Sequence, residues 1–486
     1  IIRQFHSALF LHFTTALYKW FHRSALMIGF IDTEISKNNV VSDIGCIKEN
    51  GEMLHTKSIQ ELIKFTKKID FFCGHNFVKH DLVHLNRILP RKFIPLESTI
   101  DTLFLSALLF SERPYHHLVK NDKLDTDTLN NPLNDARNTQ ILFMDEIDAF
   151  NRLDDTLKQI YYSILKDEPG FSSFFKYLKY NPKVRNLVDL IQFFFGDKVC
   201  HNIDINALLK EVKVELAFCL SLITTKETDS LMPGWILTNY PKVEPLMIKL
   251  RSTPCREGCS YCNTHLNAKH ALKRFFGYDD FRKYNDLPLQ ELAVNSAIKN
   301  ESLIAVFPTG GGKSLTYQLP ALLSRENTRG LTVVISPLQS LMKDQVDNLE
   351  ENSIVSAVAI SGLLDPIQRK EAIERVENGL AGILYIAPES LRSKTIERLL
   401  IKRQVTRFVI DEAHCFSSWG HDFRVDYLYI GKFIKHIQEI KGHKTSIPVS
   451  CFTATAKKNV IEDISNYFKI HLNLDMKVYQ TSSRRT

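Results

Sequence analysis

Short apolar runs alternate with helix-spaced segments along most of this chain, and the pattern changes character at two places. Between 27 and 150, MIGFIDTEI and VVSDIGCI read as strands, while IQELIKFTKKI and KHDLVHLNRIL repeat their apolar residues at helical spacing. From 151 to 250 the period stays helical, with FFKYLKYNPKVRNLVDLIQFFF the densest run, and predicts a helical spacer. A Pro- and Cys-bearing stretch, 251–272, follows. From 273 to 486 the runs LIAVF, LTVVISP, GILYIAP, RFVID and VSCFTA alternate with helices, which predicts a doubly wound parallel α/β layout. Residues 1–26 are apolar but broken by His, Lys and Arg, and they lack a small-residue cleavage site. They read as an extension ahead of a native start at Met27, and the abrupt SSRRT ending reads as that of a fragment.

Composition narrows the class. A chain of 486 residues is long for one core and predicts two to four domains. No run approaches the ~20 apolar residues that a membrane span needs. The net charge of +7 is compatible with a nucleic-acid partner. Nine cysteines in a chain of this size do not read as a disulfide framework, and a cytoplasmic location is expected. Cys46, Cys73, Cys200, Cys219, Cys415 and Cys451 are dispersed and are expected to be buried thiols.

The strongest chemical signal is AVFPTGGGKSLTYQ at 305–318, followed by FVIDEAH at 408–414. An apolar strand runs into a glycine-rich turn, Thr309, Gly310, Gly311 and Gly312, whose backbone N–H groups can cradle phosphates. Lys313 reaches the β/γ-phosphates and the Ser314 hydroxyl holds Mg²⁺. Asp411 and Glu412 end a second strand, where the first carboxylate can bind Mg²⁺ and the second can orient a water on the γ-phosphate. The two pieces in this order predict a nucleotide-hydrolysing site, with Phe307 standing where the strict pattern has Gly. Just beyond, Phe416, Trp419 and Phe423 lie beside His421 and Arg424. Exposed aromatics stack on unpaired bases at about 1–3 kcal/mol each, so this loop is expected to contact unpaired bases next to the ATP site. The bland alternative is an aromatic corner of the core.

Two further clusters carry chemistry. Asp32 and Glu34 occupy strand positions i and i+2 and share one face; Asp81, Asp101 and Asp135 follow. Cleavage of a phosphodiester by two metals needs several carboxylates clamping cations roughly 3.5–4 Å apart, and Asp32, Glu34, Asp81 and Asp135 suit that work. In TPCREGCSYCNTH, Cys255, Cys259, Cys262 and His265 suit tetrahedral Zn²⁺. The same C-x3-C-x2-C spacing occurs where three cysteines hold an iron–sulfur cluster, and ordinary thiols are the third reading.

From 275 onward the chain resembles the first motor domain of the RecQ family of DNA helicases. FFGYDDFRKYNDLPLQELAV is similar to the family's adenine-reading motif, which implies that Gln290 bonds the base edge and that Tyr278 and Arg282 pack near it. VISPLQSLMKDQ and YIAPESLRS resemble segments that contact the DNA backbone, through Ser336, Ser340 and Gln345 in the first. IDEAHCFSSWGHDFR resembles the DEAH box joined to the aromatic loop. FTATA, with Thr453 and Thr455, resembles the motif that couples hydrolysis to movement. The resemblance implies a RecA-like motor domain over 273–486, with ATP and Mg²⁺ as cofactors and DNA as partner. Nothing after FTATA resembles the family's second lobe, so weak turnover is expected of this chain alone.

Residues 28–150 resemble the DEDD family of 3′→5′ exonucleases, which implies an RNase H-like domain. That family has a His five residues, or a Tyr four residues, before the last Asp; here Asn130 and Asn131 stand there, and neither is a base. His116 or His117 is the available substitute. The reading is an ATP-dependent DNA helicase with an exonuclease-like domain, acting in repair and recombination, a pairing also known from Werner-type helicases. The alternative is a non-catalytic DNA-binding scaffold with a dead nuclease and an ATP-sensing motor lobe.

Overall fold

The computed structural model describes residues 26–113, 116, 118, 131–225, 230–417, 424–443, 446–454 and 457–480. Its contacts divide the chain into two compact units, Ile1–Phe110 with His116–Leu187, and Ser111–Tyr115 with Val188–Thr486. The expected helical spacer, 151–250, is therefore divided between them.

The first unit is built on a mixed sheet of β1 (Ile28–Ile35), β2 (Val41–Lys48), β3 (Met53–Thr56), β4 (Phe71–Gly74) and β5 (Thr99–Asp101), in the order β3-β2-β1-β4-β5. β2 runs antiparallel to β1 and β3, and β1, β4 and β5 are parallel. Ile31, Ile44, Leu62, Phe72, Phe77 and Leu82 bury one side of this sheet. The 21-residue helix Pro132–Arg152 packs against β1 and β2. Its Phe143 lies 5.7 Å from Phe30 of β1 and 6.1 Å from Phe174. Phe150 meets Phe174 at 5.4 Å and Phe175 at 5.8 Å, both edge-on. Each fully buried Phe contributes about 1.5–3 kcal/mol, so this aromatic seam accounts for helices between 155 and 187 joining the first unit.

The second unit holds seven strands, β6 (Ser302–Val306), β7 (Leu331–Ile335), β8 (Ala357–Ile360), β9 (Ile383–Ile386), β10 (Val405–Ile410), β11 (Val449–Thr453) and β12 (Met476–Gln480). Their order is β12-β6-β11-β10-β7-β9-β8 and every pairing is parallel. β6, β7, β9, β10 and β11 are buried at every position, as strands covered by helices on both faces must be. Ligands of such sheets bind beyond the carboxyl ends of the strands, where the loops after β6, β7, β10 and β11 converge. The helices between 188 and 251 belong to this unit. Buried Glu244, in the helix Val243–Arg251, accepts from both Lys441 and His443, while Lys441 also donates to the Arg403 carbonyl at 2.6 Å. No helix among the described residues is long and apolar enough to cross a membrane.

Candidate functional site

The chain leaves β6 and turns at Gly310 and Gly312, with φ of +70° and +81°, before the helix Lys313–Thr328 begins. A left-handed pair of this kind is open to glycine and strained for other residues. A side chain at Gly312 would also drive its Cβ to 2.5 Å from Gln290 Nε2. Three successive carbonyls of the turn are held from 282–290: Arg282 donates to Gly310 O, Tyr284 to Gly311 O, and Gln290 to Gly312 O at 3.0 Å. Gln290 is buried, and its Oε1 accepts from the Arg282 N–H at 2.8 Å. Its amide thus ties the two segments together. Tyr278, Arg282, Gln290, Gly312 and Ser314 line one cavity of about 350 Å³. Thr309 is exposed.

Phe307 does not belong to the turn. It is fully buried, donates its N–H to Thr453 O at 3.1 Å, and stacks on Tyr284 with ring centroids 4.7 Å apart and planes 16° off parallel. The turn starts at Pro308, which is why a large residue is tolerated where the strict pattern has Gly. Tyr284 escaped the sequence reading because its role depends on this stack.

Across the sheet, Lys313 Nζ lies 3.2 Å from Glu412 Oε1. The Ser336 hydroxyl is 3.5 Å from Asp411 Oδ2. His414 Nδ1 sits 3.2 Å from Glu412 Oε2 and 3.1 Å from Thr453 Oγ1. Burial holds the Asp411 carboxyl above its ordinary range, and the hydrogen bond from His414 holds Glu412 below its own. Hydrogen bonds with Cys415 and Glu412 push His414 up to about 10. Glu412 has φ +47°, a left-handed strain of about 1–3 kcal/mol for a non-glycine residue. One lysine, two carboxylates, a hydroxyl at the helix start and a glycine turn fit a Mg²⁺–nucleotide. His414 was missed as a functional residue; the DEAH string itself was its signal.

Several residues expected to touch DNA have other surroundings. Ser336 is buried and directed at Asp411, because its N–H continues the sheet by bonding Ile386 O at 3.1 Å. Gln345 accepts from Gln318 Nε2 at 3.0 Å and lines the same cavity as Gln290 and Ser314. Phe416 is a core residue, packed on Tyr427, Tyr467 and Phe468 at 5.3, 4.8 and 5.4 Å, so it is not available for base stacking. Ser340 and Arg424 are exposed, and Arg424 donates to Pro337 O at 3.2 Å. Thr453 is buried at the end of β11. Trp419, His421, Phe423 and Thr455 lie outside the described residues.

In the first unit, carboxylate oxygens of Asp32, Glu34 and Asp135 all lie within 4.8 Å of one another. Asp32 pairs with Gly45 in the sheet register. A Cβ at Gly45 would stand 2.4 Å from Pro132 O and 2.3 Å from Leu133 N, so only glycine lets the start of the helix Pro132–Arg152 come this close. That approach delivers Asp135, in the first turn, to the strand carboxylates. Asp81 is not in the group. It is buried, and its Oδ1 accepts from the Thr33 hydroxyl at 2.6 Å and the Thr33 N–H at 3.1 Å. Asp101 is also structural: it accepts from the N–H groups of Asn76, Val78 and Leu103. Asn131 caps the helix by accepting from Leu133 N at 3.0 Å. His116 is buried with Nδ1 3.0 Å from Ser106 Oγ, and Asn130 and His117 lie outside the described residues.

The cysteine cluster has a different fourth member from the one expected. Sulphurs of Cys200, Cys255, Cys259 and Cys262 all lie within 4.8 Å of one another. His265 instead stacks on Tyr261 at 4.7 Å. It sits three residues after Cys262 in the short helix Ser260–His265, which fixes its ring against Tyr261. Cys200 was read as a dispersed thiol because nothing in its local sequence links it to a motif so far along the chain.

Residues 287–464 match the model of the DEAD/DEAH box helicase family. The chain is 32% identical over 390 residues to the ATP-dependent DNA helicase hus2/rqh1 of Schizosaccharomyces pombe, across 76% of this chain and 26% of that one. It is 37% identical over 210 residues to the probable ATP-dependent DNA helicase RecS of Bacillus subtilis, covering 42% of this chain and 39% of the relative. It is 39% identical over 211 residues to the ATP-dependent DNA helicase RecQ of Haemophilus influenzae, covering 43% and 30%. This chain thus spans well under half the length of each. Among solved structures, the DUF1998 helicase MrfA bound to DNA aligns over 44% of this chain and 29% of its own, with 21% identity and a TM-score of 0.35. Residues 287–464 are therefore a DEAD/DEAH box helicase domain on a parallel α/β sheet, with helicases named RecQ among its relatives.

Proposed function

We propose that this chain is part of an ATP-dependent DNA helicase of the RecQ type, acting in DNA repair and recombination. The observation that carries the proposal is the glycine turn held at three carbonyls, with Lys313 facing Glu412 at 3.2 Å. In this reading Lys313 binds the β/γ-phosphates, and Ser314 and Asp411 hold Mg²⁺, which neutralises phosphate charge when bound. The phosphates then replace Glu412 as the partner of Lys313. Glu412, kept ionised by His414, is released to orient the attacking water. Gln290, with Tyr278 and Arg282 beside it, receives the base. Because His414 also touches Thr453 at the end of β11, a shift in either is felt at Glu412, which supports a coupling role for Thr453. DNA contact is assigned to Ser340 and Arg424, with Trp419 and Phe423 of the sequence between 418 and 423. The test is DNA-stimulated ATPase activity of parent and Glu412→Gln. The variant should keep nucleotide binding and lose turnover; equal rates would contradict the role of Glu412.

For the first unit we propose an exonuclease-like site in which Asp32, Glu34 and Asp135 hold Mg²⁺ or Mn²⁺, with Asp81 bonded to Thr33 and not among the ligands. The convergence of three carboxylates supports it, since like charges this close repel one another without a cation. Asn131 is spent on capping a helix, which favours slow cleavage or metal binding without cleavage. A missing general base forfeits about 10²–10⁴-fold in rate. Mn²⁺ titration and single-strand degradation by the whole chain, parent against Asp32→Ala, test this. Equal Mn²⁺ affinity in both would remove the metal site. The cysteine cluster is read as a holder of Zn²⁺.

A further inference from the structure

Cys200 stands in the loop between the helices Leu187–Phe195 and Ile205–Glu211. Cys255 and Cys259 precede the helix Ser260–His265, and Cys262 lies on it. The four sulphurs lie within 4.8 Å of one another, with Cys259 and Cys200 3.9 Å apart. A tetrahedron with Zn–S bonds of ~2.3 Å has sulphur–sulphur edges of about 3.8 Å, so this spacing is that of ligands to one ion. A polynuclear iron–sulfur cluster encloses several atoms and needs its sulphurs spread wider. Backbone amides point at the sulphurs: Cys259 N–H at Cys255 Sγ, 3.3 Å, and His201 N–H at Cys259 Sγ, 3.4 Å. Such donors stabilise thiolate charge and orient ligands around a metal. With four protein ligands and no open position, the donor set is that of a structural ion.

The surroundings give the ion a task. Tyr261, next to Cys262, puts its hydroxyl 3.1 Å from Asn327 Oδ1, and the Asn327 amide donates to His265 O at 3.3 Å. Asn327 lies in the last turn of the helix that Lys313 opens. The next helix, Ala268–Phe276, runs directly into the Tyr278–Arg282 segment of the nucleotide cavity, and its Arg274 pairs with Glu326. We infer that Cys200, Cys255, Cys259 and Cys262 bind one Zn²⁺, and that this ion fastens the 188–250 helices to the far end of the phosphate-loop helix. The inference rests on the metal reading of the cysteines and is independent of the ATP reading.

The test begins with zinc and iron content of the whole purified chain, which should be about one zinc and no iron. Cys200→Ser should lose the zinc, while His265→Ala should keep it. Zinc retained in Cys200→Ser, or lost in His265→Ala, overturns the ligand set; iron, or no metal, overturns the ion. Should Cys200→Ser fail to fold, X-ray absorption of the parent decides, since four sulphur neighbours support the site and three with one nitrogen overturn it. The fastening is read by hydrogen exchange after zinc is removed with a chelator. Amides at 322–328 and 268–276 should exchange at least about tenfold faster, because binding energy of a structural metal is folding energy. Unchanged protection there overturns the fastening even if zinc is present. Binding of a fluorescent ATP analogue to the parent is measured alongside, and its failure counts against the ATP reading alone.

Discussion

The two units gather carboxylates in opposite ways. In the second, Asp411 and Glu412 are adjacent in sequence, and their cation comes from the turn after a nearby strand, as Lys313. In the first, Asp32 and Glu34 come from one strand face and Asp135 arrives on a helix that must approach β2 at Gly45. A site assembled from contiguous motifs at strand ends tolerates variation elsewhere in the fold. A site assembled by close packing depends on one residue having no side chain.

The largest expected effect isolates the first kind. Lys313→Ala removes the lysine ammonium facing Glu412 and should reduce ATP turnover by about 10²–10³-fold or more, as loss of a single transition-state donor does. Mn²⁺ binding at Asp32, Glu34 and Asp135 should not change. A drop in both, measured on the same preparation, would mean that the two sites are not independent. Next comes Gly45→Ala. The new Cβ meets backbone at 2.3–2.4 Å, so the helix start must move, at a cost of about 1–3 kcal/mol in denaturant unfolding of the first unit. Mn²⁺ affinity should fall with it while ATPase activity is kept. Unchanged Mn²⁺ affinity would show that Asp135 does not need the close approach.

The smallest effect concerns Glu146, on the same helix. It is fully buried, and among the described residues neither carboxylate oxygen has a hydrogen-bond partner. Burial holds its pKa well above the usual range, and it pushes nearby Asp101 up to about 7. Both groups bind protons more tightly in the folded state. Their contribution is fully present below the unfolded value, near pH 4, and is lost as pH rises through the folded value. Stability of the first unit should therefore fall between about pH 4 and pH 7. Glu146→Leu should make that fall shallower and gain roughly 1–3 kcal/mol at neutral pH, as removing a buried unsatisfied group does. Unfolding curves at the two pH values check it, and an unaltered slope would mean that Glu146 is not the source.

What the sequence revealed follows the same division. The strands of the parallel sheet, the glycine turn and the DEAH string could be read because each is local and set by residue type. Cys200 could not, since its partners arrive from a distant segment by packing alone. Phe416 was misread for the complementary reason: an aromatic beside a charged string looks exposed until Tyr427, Tyr467 and Phe468 enclose it. Asp81 fits the order of a carboxylate set, but its distance from that set is decided by the Thr33 hydroxyl. The division of the 151–250 helices was hidden too, because which sheet a helix covers depends on seams such as Phe143 with Phe174.

The stacked pair of Phe307 and Tyr284 changes what the glycine turn can tolerate. In the strict pattern, a small residue at the first position leaves the turn's rigidity to the backbone. Here two rings carry part of it, since Tyr284 donates to Gly311 O while its ring lies flat on Phe307. Imposing the strict pattern by Phe307→Gly would complete the motif and detach the clamp on which this version of the turn relies. Conformity to a pattern and fitness of the loop are, at this position, opposed.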